Sequence, residues 1–250
     1  MRTVRVTRYV TPLREGGSLP AIVEADDDGM YVLKFRGAGQ GAKALIAELV
    51  SGEIARALGL PVPELVFAEL DKDLARTEPD PEIFALIRDS AGLTLALDYL
   101  PSSVMFDPAV EKPDAELASR IVWFDAYVTN VDRTPRNTNM LMWHRRLWLI
   151  DHGATLFFHH APGWMADRGR AREPFPLVKT HVLLTKASRL AQVDAGMAAA
   201  LTADVIEGIV ARIPDAWLDD GPAERAAYRD YLVDRLAAPR AFVEEAIRAR

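Results

Sequence analysis

The residues with the clearest chemical potential lie between positions 130 and 153. Asp132 is followed five positions later by Asn137, and Asp151 opens the run Asp-His-Gly. Two short apolar segments with the polar turn 144–146 between them predict a β-hairpin, which places Asp151 at the end of that hairpin. Phosphoryl transfer requires a carboxylate that orients the attacking hydroxyl, and ligands that hold Mg²⁺ on the nucleotide phosphates. Because Mg²⁺ prefers oxygen ligands and keeps several waters, one carboxylate and one amide oxygen suit it.

A lysine upstream adds to this pattern. Lys34 lies in the apolar run 30–35, which is predicted to be a strand, and an ammonium group there is costly unless a carboxylate or a phosphate receives it. Glu48, on the helix predicted to follow, is a candidate receiver. The alternative is that Lys34 faces solvent from an edge strand. The Asp132–Asn137 spacing taken singly is equally compatible with a turn; it is the combination, in this order, that favours a site.

The runs NVDRTPRN (130–137) and LIDHG (149–153) resemble the catalytic and metal-binding segments of HipA-like kinases, a bacterial branch of the protein-kinase-like superfamily. The resemblance extends to the strand 31–35, the helix that carries Glu48, and the run 58–63. In motif terms it covers roughly residues 14 to 160. It implies an ATP- and Mg²⁺-dependent phosphotransferase, with kinase activity on an alcohol acceptor.

The resemblance also implies a role for each matching residue. Asp132 would orient the acceptor hydroxyl and take its proton late, while Asn137 and Asp151 would hold Mg²⁺. Lys34 would contact the α- and β-phosphates of ATP while it pairs with Glu48.

The sequence departs from the better-known protein-kinase pattern in three places. The metal-binding run is Asp-His-Gly rather than Asp-Phe-Gly, Val131 precedes Asp132 where protein kinases have arginine, and the loop 14–18 is not GxGxxG. Backbone N–H groups of Gly16, Gly17 and Ser18 could still cradle phosphates, because such a nest needs conformational freedom more than a fixed motif. The same residues could instead form a hairpin turn.

Other polar residues near the motif have two interpretations each. Three histidines fit no common zinc or iron spacing such as HExxH, and we expect them to be surface or core residues: His152, His159 and His160. Asp125 either supports the catalytic loop or faces water. Arg133 and Arg136 either order that loop or contact phosphate.

Composition limits the remaining possibilities. The chain has 250 residues, half of them apolar, no cysteine, and a net charge of −6. Disulfides and thiolate metal sites are therefore excluded, and general attraction to nucleic acid is not expected. The charged start and the absence of a long apolar run predict a soluble cytoplasmic protein without a membrane segment.

The pattern of elements predicts a two-lobed α+β fold of the protein-kinase-like type. A β-rich N-terminal lobe is expected over residues 1–97, with a β-meander, a helix over 42–58 and a strand over 65–70. A mainly helical C-terminal lobe over 98–250 begins with a helix capped by Asp114 and predicted to end at Asn130. ATP would lie between the lobes.

The acceptor is not readable from the sequence. The resemblance implies a protein serine or threonine, a small molecule is the alternative within enzymes, and a catalytically inactive nucleotide-binding regulatory module is the alternative outside them. HipA-like kinases are often linked to a DNA-binding antitoxin partner, but nothing in this sequence predicts one.

Overall fold

The computed structural model describes residues 1–13, 19–36 and 41–250, and it combines strands and helices in an α+β fold. The first five strands are β1 (Thr3–Pro12), β2 (Ala21–Ala25), β3 (Met30–Lys34), β4 (Leu65–Leu70) and β5 (Gly92–Asp98). They form a closed barrel in the order β1–β2–β3–β5–β4. All neighbouring pairs are antiparallel except β1 and β4, which run parallel and close the barrel.

The turn between β2 and β3 forms where the acidic run ending in Gly29 predicts a hairpin. The Ala25 amide donates to the Gly29 carbonyl at 3.0 Å, and Asp28 has the positive φ of 60° that such turns require. From this turn β3 pairs with β2 on one side and β5 on the other, with Lys34 opposite Leu95. The meander therefore fixes the position of Lys34 at the end of β3, beside β5.

Helix α1 (Ala42–Ala57) follows the barrel's third strand and is buried on all sides from Leu45 to Ala55. A Cβ atom on Gly52 would lie 3.0 Å from the Leu65 side chain, so a larger residue where the helix meets β4 would require that side chain to shift. Gly52 thus permits the close approach of α1 to β4 that places Glu48 against the barrel.

Helix α2 (Pro81–Asp89), capped by Asp80, occupies a segment in which the sequence pattern is weak.

The second half of the chain is mainly helical. A small sheet contains β6 (Val104–Met105), β7 (Met140–Trp143) and β8 (Arg146–Leu149) in that order. Around it lie α3 (Ala115–Tyr127), α4 (Leu190–Ala200), α5 (Ala203–Val210), α6 (Gly221–Leu236) and α7 (Ala241–Ala249). Short 3-10 helices between residues 157 and 186 lie in the segment that connects β8 to α4.

Helix α3 shows one confirmed boundary and one wrong one. Asp114 caps it as expected, and its carboxylate accepts from the Glu116 and Leu117 amides at 2.9 and 2.8 Å. The helix ends at Tyr127, not at the predicted Asn130. The cause is local, since Thr129 adopts a left-handed φ of 54° that no helix can continue through.

Buried apolar residues form two clusters. The smaller cluster fills the barrel and includes Val4, Val23, Leu33 and Ala96. The larger joins α1 to α3 and to the C-terminal helices, and it includes Leu95 and Leu97 of β5. Helix α1 thus packs between the barrel and the helical half. The division into lobes at residue 97 stays a prediction. No helix in the described ranges is long and apolar enough to cross a bilayer.

Candidate active site

An ammonium group lies between two carboxylates where the barrel meets α1. Lys34 Nζ is 2.8 Å from Asp151 Oδ1 and 3.4 Å from Glu48 Oε2, and the lysine side chain is 11% exposed. Burial alone would lower the pKa of Lys34, but the two carboxylates raise it above its ordinary value. Burial likewise opposes ionisation of Glu48, yet Lys34 and His152 lower the pKa of Glu48 to about 2. Lys34 and Glu48 are therefore both charged at neutral pH.

Glu48 is also bound to the residue that follows Asp151. Its Oε2 accepts the His152 amide at 3.0 Å, and its Oε1 lies 3.3 Å from His152 Nδ1. Since an ionised carboxylate only accepts, Nδ1 carries the proton. The ring's Nε2 is buried and has no hydrogen-bond partner among the described residues. Histidine in place of the usual phenylalanine thus ties α1 to the turn that presents Asp151, which has a left-handed φ of 55°.

Asp132 lies on the loop between α3 and β7, where three asparagines hold it. Its Oδ2 accepts from Asn137 Nδ2 at 2.7 Å and from Asn139 Nδ2 at 3.1 Å. Its amide donates to Asn130 Oδ1 at 3.0 Å. The motif spacing predicts a role for Asn137 but none for Asn139; the only sequence signal for Asn139 is the repeat of asparagine two positions further on.

Beneath this loop is a buried cluster centred on Asp125 of α3. Its carboxylate accepts from Arg133 Nε at 2.6 Å, Asn130 Nδ2 at 2.7 Å and His181 Nε2 at 2.8 Å. Burial opposes ionisation, but Arg133 and then His181 hold the pKa of Asp125 well below its ordinary value. Asp125 therefore supports the loop that carries Asp132 and does not face water. His181 lies 44 residues beyond Asn137 in sequence, too far for any local pattern to reveal it.

The two arginines of the loop have different surroundings. Arg133 is 1% exposed, and its guanidinium also donates to the Asn139 carbonyl. Arg136 is exposed and forms no ion pair within the described ranges. Ordering of the loop is therefore the task of Arg133.

The hairpin β7–β8 joins the two groups of residues. Met140 pairs with Leu149, and one step further the Ile150 amide donates to the Asn139 carbonyl at 3.0 Å. Asp132 and Asp151 consequently lie at the same end of the hairpin. In the part of the chain that the structure describes, no hydrogen bond joins Asn137 to Asp151. Nor does any reach Asn137 Oδ1 or Asp151 Oδ2.

These two oxygens suit a magnesium ion. Both are hard donors, and Mg²⁺ takes its remaining ligands from water and phosphate. Within residues 1–13, 19–36 and 41–250, no group of three or more His, Asp or Glu side chains could hold a metal unaided. Asn137 Oδ1 and Asp151 Oδ2 could each supply one ligand to a metal whose other ligands come from elsewhere. The phosphate-binding prediction for Gly16, Gly17 and Ser18 lies outside the described residues.

Two further histidines form a hydrogen-bonded chain with a tyrosine of α6. His159 Nδ1 lies 3.0 Å from the Tyr228 hydroxyl, and its Nε2 lies 3.0 Å from His160 Nε2. Burial, then the neighbouring His160 and Lys43, lower the pKa of His159 to about 3. Both histidines of this pair, like His152, have partners of their own, in agreement with their interpretation as core or surface residues.

The hydrogen-bonded pair His159 and His160 predicts that the folded protein loses stability in mild acid. The unfolded chain binds a proton at His159 below about pH 6.5, whereas the folded protein excludes it until about pH 3. Above pH 6.5 His159 therefore does not reduce the free energy of unfolding. As the pH decreases below 6.5, this one group lowers the free energy of unfolding by up to about 1.4 kcal/mol per pH unit. Urea unfolding of His159→Asn between pH 6.5 and 4.5 should show a shallower slope. His144→Asn, at an exposed turn, is the matched control and should keep the parent slope.

Comparisons with known structures identify the fold. The structure matches a crystal structure of the Helicobacter pylori proinflammatory kinase CtkA with a TM-score of 0.57 and 14% identity, over 92% of this chain and 94% of that one. A Golgi casein kinase with Mn and ADP bound matches with a TM-score of 0.54 and 11% identity, over 96% and 75%. These similarities show a protein-kinase-like fold.

The sequence comparisons are more specific. A search of curated proteins found no significant match. The sequence model of the HipA-like kinase family, however, matches residues 6–237. That match spans nearly the whole chain and includes every residue of the site described above, so the protein belongs to the HipA-like kinase family and is a kinase-type phosphotransferase.

Proposed function

We propose that this kinase transfers the γ-phosphoryl group of ATP, with Mg²⁺, to the hydroxyl of a protein serine or threonine. The observation that carries the proposal is the position of Lys34 between Glu48 and Asp151, at the end of the hairpin where Asp132 also lies. A buried lysine held by two carboxylates is arranged to receive phosphate, and one of those carboxylates can also hold a metal. The bound Mn and ADP of the Golgi casein kinase support use of a nucleotide and a divalent metal.

Each side chain then has a defined task. Lys34 contacts the nucleotide phosphates and Glu48 keeps its ammonium in place. Asn137 and Asp151 hold Mg²⁺, which neutralises charge on the phosphates when it is bound. Asp132 orients the acceptor hydroxyl toward the γ-phosphorus. As the oxygen–phosphorus bond forms, the bond to the β–γ bridging oxygen breaks, ADP leaves, and the hydroxyl proton passes late to Asp132.

Binding of MgATP should stabilise the folded protein. A ligand at a hundred times its Kd adds about 2.7 kcal/mol, which for a chain of this size corresponds to a rise in Tm of roughly 5–10 °C. Differential scanning fluorimetry with millimolar MgATP measures the rise, and excess EDTA should remove most of it. Equal midpoints with and without MgATP would count against nucleotide binding at this site.

The acceptor is tested separately with γ-³²P-labelled ATP in a cell lysate. Label on serine or threonine of proteins supports the proposal. Label only in the small-molecule fraction would replace the protein acceptor with a metabolite, and binding without any transfer would indicate a regulatory module. Asp132→Ala protein is the control for transfer by contaminating kinases.

A further inference from the structure

Asn139 is buried immediately before β7 and directs its amide at the carboxylate of Asp132. Its Nδ2 is 3.1 Å from Asp132 Oδ2, and the residue is 4% exposed. Because an ionised carboxylate only accepts hydrogen bonds, the contact is an N–H donation from Asn139. Asn137 donates to the same oxygen at 2.7 Å. One oxygen of Asp132 therefore receives two donors.

The other oxygen, Asp132 Oδ1, receives no hydrogen bond from any described residue. We propose that Asn139 is a positioning residue for Asp132. It fixes Oδ2 so that Oδ1 is the oxygen that meets the acceptor hydroxyl. This inference rests on the function proposed above, in which Asp132 orients that hydroxyl.

The two asparagines differ in how firmly they can hold the carboxylate. Asn137 is exposed, so water competes for its hydrogen bond, and its own Oδ1 is assigned to the metal. Asn139 is shielded from water, where a hydrogen bond to a charged group is stronger. Asn139 is thus the donor that remains in place throughout the reaction.

The backbone of Asn139 is anchored from two directions. Its carbonyl accepts from the Arg133 guanidinium and from the Ile150 amide. Its φ of 48° is left-handed, a conformation that asparagine, aspartate and glycine tolerate better than other residues. The residue therefore links the support beneath the catalytic loop, the turn before Asp151 and the carboxylate of Asp132.

Two substitutions separate the side chain from this backbone role. Asn139→Gly keeps the left-handed conformation and the carbonyl but removes the donor. Asn139→Asp keeps the size as well but places a carboxylate against Asp132. We expect kcat to fall about ten- to a hundredfold in the glycine variant and further in the aspartate variant. The KM for MgATP should stay within about twofold, because a misdirected Asp132 does not affect nucleotide binding.

The control is His144→Gly. His144 is exposed in the turn between β7 and β8, and its φ of 48° equals that of Asn139. It should leave kcat and KM unchanged. Parent-like kcat in Asn139→Gly would overturn the inference and leave the proposed function intact. A loss of activity in Asn139→Gly in which the KM for MgATP rises as much as kcat falls would also overturn the inference, since it would make the role of Asn139 only structural.

A measurement without catalysis keeps the inference testable if the acceptor is unknown. In ¹⁵N-labelled protein the side-chain amide signal of Asn139 is identified by its absence from the glycine variant. One of its protons should exchange slowly with water, and Asp132→Ala should shift that signal and speed its exchange. An Asn139 signal unaffected by Asp132→Ala would overturn the contact, whatever the fate of the kinase assay.

Discussion

Replacing Asp132 by asparagine is expected to lower the rate of phosphoryl transfer about a thousandfold, within the range of general-base effects. The affinity of the Asp132→Asn variant for MgATP should stay close to that of the parent protein. The carboxylate is needed to orient the acceptor and take its proton as the transition state forms, not to bind the nucleotide. An asparagine of the same size can still accept from Asn137 and Asn139 through its carbonyl oxygen. Single-turnover rates alongside a titration of MgATP measure the two effects separately.

The comparison variant is Asp151→Asn, because Asp151 differs from Asp132 in its contacts. Asp151 binds Lys34 and is proposed to hold Mg²⁺ in the ground-state complex. Its loss should therefore weaken metal-dependent nucleotide binding as well as rate. The opposite pattern, with binding lost in Asp132→Asn and retained in Asp151→Asn, would reverse the two assignments.

Replacing Asp125 by asparagine should destabilise the protein more than any surface change, by about 3–5 kcal/mol. The carboxylate is fully buried and accepts from Arg133, Asn130 and His181. Asparagine keeps its volume but leaves the Arg133 guanidinium, 1% exposed, without an anionic partner. Urea unfolding followed by circular dichroism gives the change in free energy.

A surface aspartate provides the matched control. Asp89 pairs with Arg88 at 2.8 Å, and both are exposed to solvent. Asp89→Asn should leave the unfolding midpoint unchanged, since an exposed pair of this kind contributes little. If Asp125→Asn unfolded at the same urea concentration as Asp89→Asn, the buried cluster could not be what supports the catalytic loop.

How much of this structure could be predicted depends on the range of the interactions. The turn ending in Gly29 and the strand Leu65–Leu70 follow from local pattern, and both form where expected. The parallel pairing of β1 with β4 joins Val4 to Ala68, and no periodicity specifies a partner so distant in the chain. Local preference fixes elements; closure of the barrel depends on tertiary contacts.

The same limit applies to the site. Asp132, Lys34 and Asp151 could be singled out because their residue types and order match a family motif. The role of Asp125 could not, since a mid-helix aspartate looks alike whether it faces water or a buried arginine. His181 becomes a partner of that aspartate only through the packing of the 3-10 helices after residue 157. The supporting residues can thus be identified only from the fold, whereas the residues proposed to react can be identified from the motif.

The closed barrel also affects how this kinase can associate with itself. A strand at the edge of an open sheet presents unpaired N–H and C=O groups, a template for pairing with another chain. Each of the five barrel strands has neighbours on both sides, because β1 pairs with both β2 and β4. The small sheet is open, but its edges are short: two residues in β6 and four in β8, where the Leu149 amide already donates to Pro61. In the part of the chain that the structure describes, the strand edges open to another chain are therefore the two short ones of this sheet, and β6 exposes the apolar side chains of Val104 and Met105.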